Sequence, residues 1–121
     1  MSTFTIYHNP RCSKSRQALQ LLRDNGIEPE VVLYLENPPS KMTLKKILAQ
    51  LAIKPRMLLR KGEAIYKELD LQNEALTDAA LIDAMHQHPV LIERPIIIRN
   101  DKRSDTAVLG RPPENVLELL S

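Results

Sequence analysis

The only cysteine of this 121-residue chain, Cys12, lies in a short basic segment. Four residues with basic side chains surround it in the sequence: His8, Arg11, Lys14 and Arg16. A cysteine reacts as the thiolate, and cationic neighbours or a helix N-terminus lower the pKa of a thiol. If a helix begins at Ser13, its first unpaired amides converge near the sulfur, favour negative charge there and could bind an oxyanion. The segment therefore indicates a reactive thiol, with a small buried residue as the alternative.

Two neighbours could tune the thiolate of Cys12. His8 precedes the loop and could be held near the sulfur, while the alternative is a histidine that only packs against the loop or lies at the surface. Ser15 completes a Cys-x-x-Ser sequence, so a resolving thiol must come from another molecule. The Ser15 hydroxyl could hydrogen-bond the thiolate or serve as a helix cap. We therefore take His8 and Ser15 as candidate tuning residues.

The first part of the chain predicts a β-α-β unit. Residues 3–7 alternate and are rich in β-forming side chains, which indicates a strand. Residues 13–24 carry an apolar stripe, and the Asn-Gly pair that follows is the stop expected just past a helix. Residues 28–36 indicate a second, buried strand. The two strands of such a unit are usually parallel.

The middle region, residues 40–88, is predicted to be mostly helical. Ser40 and Thr77 are suitable N-caps, Gly62 interrupts the pattern between them, and Pro89 must end the last of these helices. The predicted helices cover 41–53, two short pieces within 56–69, and 78–88.

The C-terminal region changes back to a strand pattern. Residues 95–99 and 106–110 indicate two strands, and the polar segment between them indicates an antiparallel hairpin. A last helix is predicted over roughly 113–120. The predicted order is thus β-α-β, helices, β-β-α, in a single domain over residues 1–121 with a helical insertion at about 40–88.

Composition excludes several classes of protein. Hydrophobic residues make up 43% of the chain and charged residues 26%, which is typical of a soluble globular protein. The 17 basic and 15 acidic residues give a net charge of +2, too small to indicate a nucleic-acid partner. The basic segment 99–105 lacks aromatic residues and is expected to be a solvated turn.

No window approaches the length of a membrane span, and no basic leader precedes an apolar run. We therefore expect a cytoplasmic protein whose cysteine stays reduced. His86 and His88 are two residues apart on a predicted helix and point to different faces, so no metal site is expected. A tyrosine-phosphatase-like loop would need an arginine six positions after Cys12, where the chain has Ala18.

Five segments spread over almost the whole chain resemble one known family. They are IYHNPRCSKSR, VVLYLENPPS, LLRK, ERPIII and GRPPENVLEL. The element order, with a thiol after the first strand and a proline opening the third, resembles the thioredoxin fold. The motifs resemble, more narrowly, the glutaredoxin-coupled arsenate reductases. The resemblance implies an α/β fold with a mixed four-stranded sheet and a helical insertion between strands 2 and 3.

The resemblance also implies a set of site residues. In the family the position of Cys12 is the nucleophile, and arginines matching Arg60, Arg94 and Arg111 surround the substrate oxyanion. Arginine suits this role because its planar, always-charged group donates hydrogen bonds in pairs. The resemblance implies a cis peptide bond before Pro95, and the alternative is an ordinary trans bond at a strand start. The alternatives for the arginines are a surface cation at position 60 and an ion pair with an acid such as Glu114 at position 111.

The function implied is thiol-dependent reduction of arsenate to arsenite through a covalent thio-arsenate adduct on Cys12. Glutathione would act as co-substrate and glutaredoxin as protein partner, with no bound metal or other cofactor. The alternatives are a reductase of another oxyanion and a regulatory protein of the same fold, as in relatives that contact RNA polymerase. Those relatives typically carry Cys-x-x-Cys, and Ser15 departs from that pattern.

Overall fold

The computed structural model describes residues 3–101 and 105–120, and its central feature is a mixed four-stranded sheet. The strands are β1 (Thr3–Tyr7), β2 (Glu30–Val32), β3 (Ile96–Asn100) and β4 (Asp105–Leu109). They lie in the order β2-β1-β3-β4, with β1 parallel to β2 and antiparallel to β3, and β3 antiparallel to β4. The predicted α/β architecture, the β-α-β unit and the hairpin are thereby confirmed.

The helices follow the predicted order, and both predicted N-caps are confirmed. The Oγ of Ser40 accepts from the amide of Thr43 at 3.1 Å, and the Oγ1 of Thr77 accepts from the amide of Ala80 at 3.1 Å. The helices are α1 (Ser13–Asp24), α2 (Lys41–Leu51), α3 (Pro55–Leu58), α4 (Ala64–Glu68) and α5 (Asp78–Gln87), with 3-10 helices at Pro89–Leu91 and Pro113–Leu119.

The strand register brings four chain segments to one edge of the sheet. Tyr7, the last residue of β1, pairs with Val32 at the end of β2 and with Ile96 at the start of β3. Ile96 in turn pairs with Leu109 at the end of β4. The residues after β1, β2 and β4 and those before β3 therefore meet here, and we call this the site edge.

The core under this sheet fixes helix α1. Ala18 and Leu22 of α1 are fully buried against Ile6 of β1 and Ile97 of β3. Burying a leucine or isoleucine side chain contributes roughly 1.5–3 kcal/mol. The buried members of this cluster are Ile6, Ala18, Leu19, Leu22, Ile97, Val116 and Leu119.

The chain divides into two compact units, Met1–Asn37 with Arg94–Ser121, and Pro38–Glu93. The second unit contains α2 to α5, and α5 packs against α2 and α3 there. The helical insertion is thus present and somewhat longer than predicted, whereas the single domain stays a prediction. Among the described residues, no helix is long and apolar enough to cross a bilayer.

Two predicted elements differ in the structure. The second strand, predicted over 28–36, covers only Glu30–Val32, because the chain then turns: the carbonyl of Leu33 accepts from the amides of Glu36 (3.0 Å) and Asn37 (2.9 Å). The last helix is present but is of the 3-10 type, with Pro113 at its first position. The tip of the hairpin, residues 102–104, lies outside the described residues.

Candidate active site

Cys12 occupies the N-cap position of α1, at the site edge. Its backbone is extended (φ −95°, ψ 121°), its amide donates to the carbonyl of Asn9 at 3.0 Å, and its carbonyl accepts from the amide of Arg16 at 3.0 Å. No acidic residue lies in the first turn of α1. The sulfur therefore meets the positive end of the helix dipole without a competing negative charge. The predicted helix start at Ser13 is confirmed.

The surroundings of Cys12 stabilise its thiolate. Burial by itself raises the pKa of Cys12, but the backbone amide of Ser15, the charge of Arg94, the backbone amide of Lys14 and a hydrogen bond from the Arg94 side chain together lower that pKa below its usual value. Hydrogen bonds and positive charge favour the ionised form of a thiol, whereas loss of water favours the neutral form. The favourable groups prevail here, so a larger fraction of Cys12 is in the thiolate form at neutral pH than of a free cysteine.

His8 and Ser15 contact each other inside the protein. The His8 side chain is 6% exposed and Ser15 is fully buried. Nδ1 of His8 lies 2.6 Å from Oγ of Ser15, and the same hydroxyl accepts from the amide of Asn9 at 3.1 Å. The Ser15 hydroxyl thus supports the loop before Cys12, while the Ser15 backbone amide is among the groups that lower the pKa of Cys12.

The protonation state of His8 follows from its position. Burial, together with the nearby positive charges of Arg23 and Arg16, lowers the pKa of His8. The ring is therefore neutral at neutral pH and adds no positive charge beside the thiolate. The contact of His8 with Ser15 links it to the first turn of α1.

Arg16 holds the loop from the helix side. Its Nη1 donates to the carbonyl of Pro10 at 2.8 Å. In the same loop the amide of Arg11 donates to Oδ1 of Asn9 at 3.0 Å. These bonds fix the backbone immediately before Cys12, an arrangement that the sequence did not predict because Arg16 is six residues from its partner.

Arg94 and Arg111 also lie at the site edge. Arg94 precedes β3, and its peptide bond to Pro95 is cis, as the resemblance implies. The amide of Gly110 donates to the carbonyl of Pro95 at 2.9 Å, which brings the end of β4 beside the start of β3. Arg111 follows this junction, and Asn115 donates from Nδ2 to the Arg111 carbonyl at 3.2 Å.

Gly110 is required by this junction. A Cβ at this position would lie 2.7 Å from Cγ of Pro95, 3.0 Å from Cδ1 of Ile97 and 3.2 Å from the Cβ of Ala18. The first distance is far shorter than a carbon–carbon contact of about 3.5–4.0 Å. The sequence placed Gly110 beside Arg111 but gave no sign of this close approach. It likewise did not predict that the Arg111–Pro112 peptide bond is also cis.

Arg60 belongs to the helical unit. Its Nη2 lies 3.4 Å from Oε2 of Glu63, and its amide donates to the carbonyl of Leu91 at 2.8 Å. The role of Arg60 at an oxyanion stays a prediction. Within residues 3–101 and 105–120, no group of three or more histidine, cysteine or acidic side chains is arranged to hold a metal ion. Nδ1 of His86 instead lies 2.9 Å from the carbonyl oxygen of Pro39.

Comparison with known proteins places this geometry in context. The model of the ArsC family matches residues 7–119. The uncharacterized protein YfgD of Escherichia coli K12 is 53% identical over 116 residues, which are 95% of this chain and 94% of that protein. An arsenate reductase of Escherichia coli is 49% identical over 120 residues, 99% of this chain and 82% of that enzyme. The structure of an arsenate reductase from Vibrio cholerae has a TM-score of 0.90 at 50% identity and covers 96% of both chains.

Proposed function

The chain belongs to the ArsC family, and we propose that it reduces arsenate to arsenite with Cys12 as the nucleophile. The observation that carries the proposal is the thiol itself: its pKa is lowered, and among the groups that lower it is the Arg94 guanidinium. The arsenate reductases that the chain is similar to over nearly its full length support arsenate as the substrate.

In the first step the Cys12 thiolate attacks the arsenic atom of bound arsenate. A sulfur–arsenic bond forms, one arsenic–oxygen bond breaks, and that oxygen takes up protons and leaves as water. Negative charge stays on the remaining oxygens, where Arg94 and Arg111 at the site edge act as donors. Arg60 is proposed as a third donor because the matching arginine has this role in the family.

In the second step an external thiol completes the reduction, because Cys12 is the only cysteine of the chain. A glutathione thiolate attacks the sulfur of Cys12, a sulfur–sulfur bond forms and the sulfur–arsenic bond breaks. The bonding pair moves to arsenic, which goes from the pentavalent to the trivalent state while the two sulfurs are together oxidised by two electrons. A glutaredoxin thiolate then attacks the mixed disulfide and restores the Cys12 thiolate.

His8 and Ser15 are proposed as positioning residues for the first step. Neutral His8 is bonded to the Ser15 hydroxyl, and the Ser15 amide is among the groups that stabilise the thiolate. This hydrogen bond would therefore hold the first turn of α1 in place beside the sulfur. We place the reaction in the cytoplasm, since glutathione and a reduced Cys12 both require a reducing compartment.

The proposal is tested by arsenate-dependent oxidation of NADPH in the presence of glutathione, glutaredoxin and glutathione reductase. We expect turnover by the wild-type protein and by His88→Gln, a variant of a partly exposed residue at the end of α5, and none by Cys12→Ser. Circular dichroism would establish that Cys12→Ser is folded. If the wild-type protein is folded and its Cys12 is readily alkylated, but arsenate is not consumed, the proposal is contradicted. That result would favour another oxyanion substrate or the regulatory alternative.

A further inference from the structure

A groove of about 320 Å³ opens beside the loop that carries the nucleophile. Residues 8–11 form one side, and Leu33, Leu35 and Glu36 form the other. The two sides meet at the site edge, because the amide of His8 donates to the carbonyl of Val32 at 2.9 Å. The groove exists because the chain turns after β2 instead of continuing as a strand.

The charges of the groove indicate what it can bind. It carries one cation, Arg11, and one anion, Glu36, both on exposed residues. None of the ion pairs found among residues 3–101 and 105–120 uses either side chain. Leu33, Leu35 and Pro10 supply apolar surface between them. A ligand that matches this lining has a carboxylate, an ammonium group and an apolar or amide-rich body.

We infer that this groove binds glutathione, with Arg11 contacting the carboxylate and Glu36 the ammonium group of its γ-glutamyl end. The inference rests on the proposed function, which requires an external thiol. The volume is at the lower end of the range for ligand pockets, about 300–1,000 Å³, and suits a tripeptide rather than arsenate. The carboxylate of Glu36 also disfavours an oxyanion in this groove.

The position of the groove fits the second step of the proposed reaction. Arg11 is the neighbour of Cys12 in the chain, and adjacent Cα atoms are only about 3.8 Å apart. A tripeptide spans at most about 10 Å when extended. If the γ-glutamyl end of glutathione is held at Arg11, the thiol of its next residue has to span a distance of only about one residue to reach the sulfur of Cys12.

The first experiment measures binding in the absence of arsenate and of thiol chemistry. S-methylglutathione, which cannot form a disulfide, is titrated into the full chain and followed by NMR chemical shifts. We expect shifts at residues 8–11 and 33–36, and about five- to tenfold weaker binding for Arg11→Gln and for Glu36→Gln, since each loses one charge-assisted contact. The matched surface variants Lys45→Gln and Glu74→Gln are expected to bind like the wild type.

The second experiment separates this inference from the proposed function. In the coupled assay, Arg11→Gln and Glu36→Gln should raise the KM for glutathione about five- to tenfold and leave the KM for arsenate unchanged. Wild-type binding of S-methylglutathione by both variants, or shifts confined to other residues, would overturn the inference. An altered KM for glutaredoxin alone would also overturn it and assign the groove to the protein partner. Binding as expected without arsenate turnover would sustain the inference and refute the proposed function.

Discussion

Nδ1 of His8 lies 2.6 Å from Oγ of Ser15, and both side chains are buried although seven positions separate them in the chain. His8 follows β1 and Ser15 lies in the first turn of α1. The bond therefore ties the end of the strand to the start of the helix, on either side of Cys12. The amide of Ser15 is among the groups that lower the pKa of Cys12, so the contact fixes a residue that helps to stabilise the thiolate.

Because of His8, the protein should become less stable as the pH is lowered below about 6.5. Burial first, and then Arg23 and Arg16, lower the folded-state pKa of this histidine below the 6.5 of the unfolded chain. Between these two pKa values the unfolded state binds more protons, so acidification favours unfolding, and above pH 6.5 the contribution disappears. Urea denaturation at several pH values between 5 and 8 should show this loss for the wild type.

The control for this prediction is the variant His8→Gln. His8→Gln should be less stable at neutral pH, since a buried side chain and its hydrogen bond are altered, yet its stability should depend less on pH between 5 and 7. Equal slopes for the wild type and His8→Gln would show that the acid sensitivity comes from other groups.

Arg94 should affect both the ionisation of Cys12 and the binding of arsenate. Arg94 lowers the pKa of Cys12 by its positive charge and by a hydrogen bond from its side chain. Arg94→Gln should therefore move the pH profile of iodoacetamide alkylation to higher pH. Arg94→Gln and Arg111→Gln should both lower arsenate turnover, by about a hundredfold for the loss of one oxyanion donor.

Protection by arsenate tests Arg111 as an oxyanion donor. Arsenate should protect Cys12 of the wild-type protein from alkylation, and Arg111→Gln should weaken that protection when each rate is divided by the rate of the same protein without arsenate. Full protection in Arg111→Gln would remove this arginine from the proposed site.

Arg60 should matter for the substrate and little for the fold. Its ion pair with Glu63, at 3.4 Å, belongs to a class that contributes about 0–1 kcal/mol to stability. Arg60→Gln should therefore unfold near the wild-type midpoint while its KM for arsenate rises. Glu63→Gln is the matched variant, because it breaks the same ion pair and keeps the arginine. An equal loss of activity in both would indicate a structural role for the pair.

Local sequence signals predicted most of the secondary structure. The alternation in β1, the apolar stripe of α1 and the caps Ser40 and Thr77 depend on residues close together in the chain, and the structure confirms all of them. The predicted length of the second strand was wrong because its apolar run continues past Val32. There the chain turns and buries Tyr34, which is only 1% exposed, and an apolar run alone does not distinguish a strand from such a turn.

Contacts between distant parts of the chain could not be predicted in this way. The approach of Gly110 to Pro95 joins residues brought together only by the hairpin, and the groove beside Arg11 depends on the turn after β2. The arginines proposed as oxyanion donors were identified only through the resemblance, since nothing in composition or spacing distinguishes Arg94 from other arginines. Sequence patterns thus predicted the secondary structure around the site, whereas the contacts within the site depend on the sheet register.

Gly110→Ala should destabilise the protein and displace the arginines on either side of the junction. The added methyl would lie 2.7 Å from Cγ of Pro95, a ring that cannot rotate away, and 3.0 Å from Cδ1 of Ile97. Overpacking of this kind costs about 1–3 kcal/mol, measurable by urea denaturation. Because Pro95 carries Arg94, alkylation of Cys12 should also shift to higher pH.

Gly62→Ala is the matched control for this clash. No atom lies within 4 Å of a Cβ built at Gly62, and its backbone is outside the left-handed region. An alanine there should be neutral or stabilise the protein by up to about 1 kcal/mol, because it restricts the unfolded chain. The contradicting outcome is a Gly110→Ala variant as stable as Gly62→Ala, with Cys12 alkylated with the wild-type pH profile. That result would show that close packing of Gly110 against Pro95 does not position Arg94.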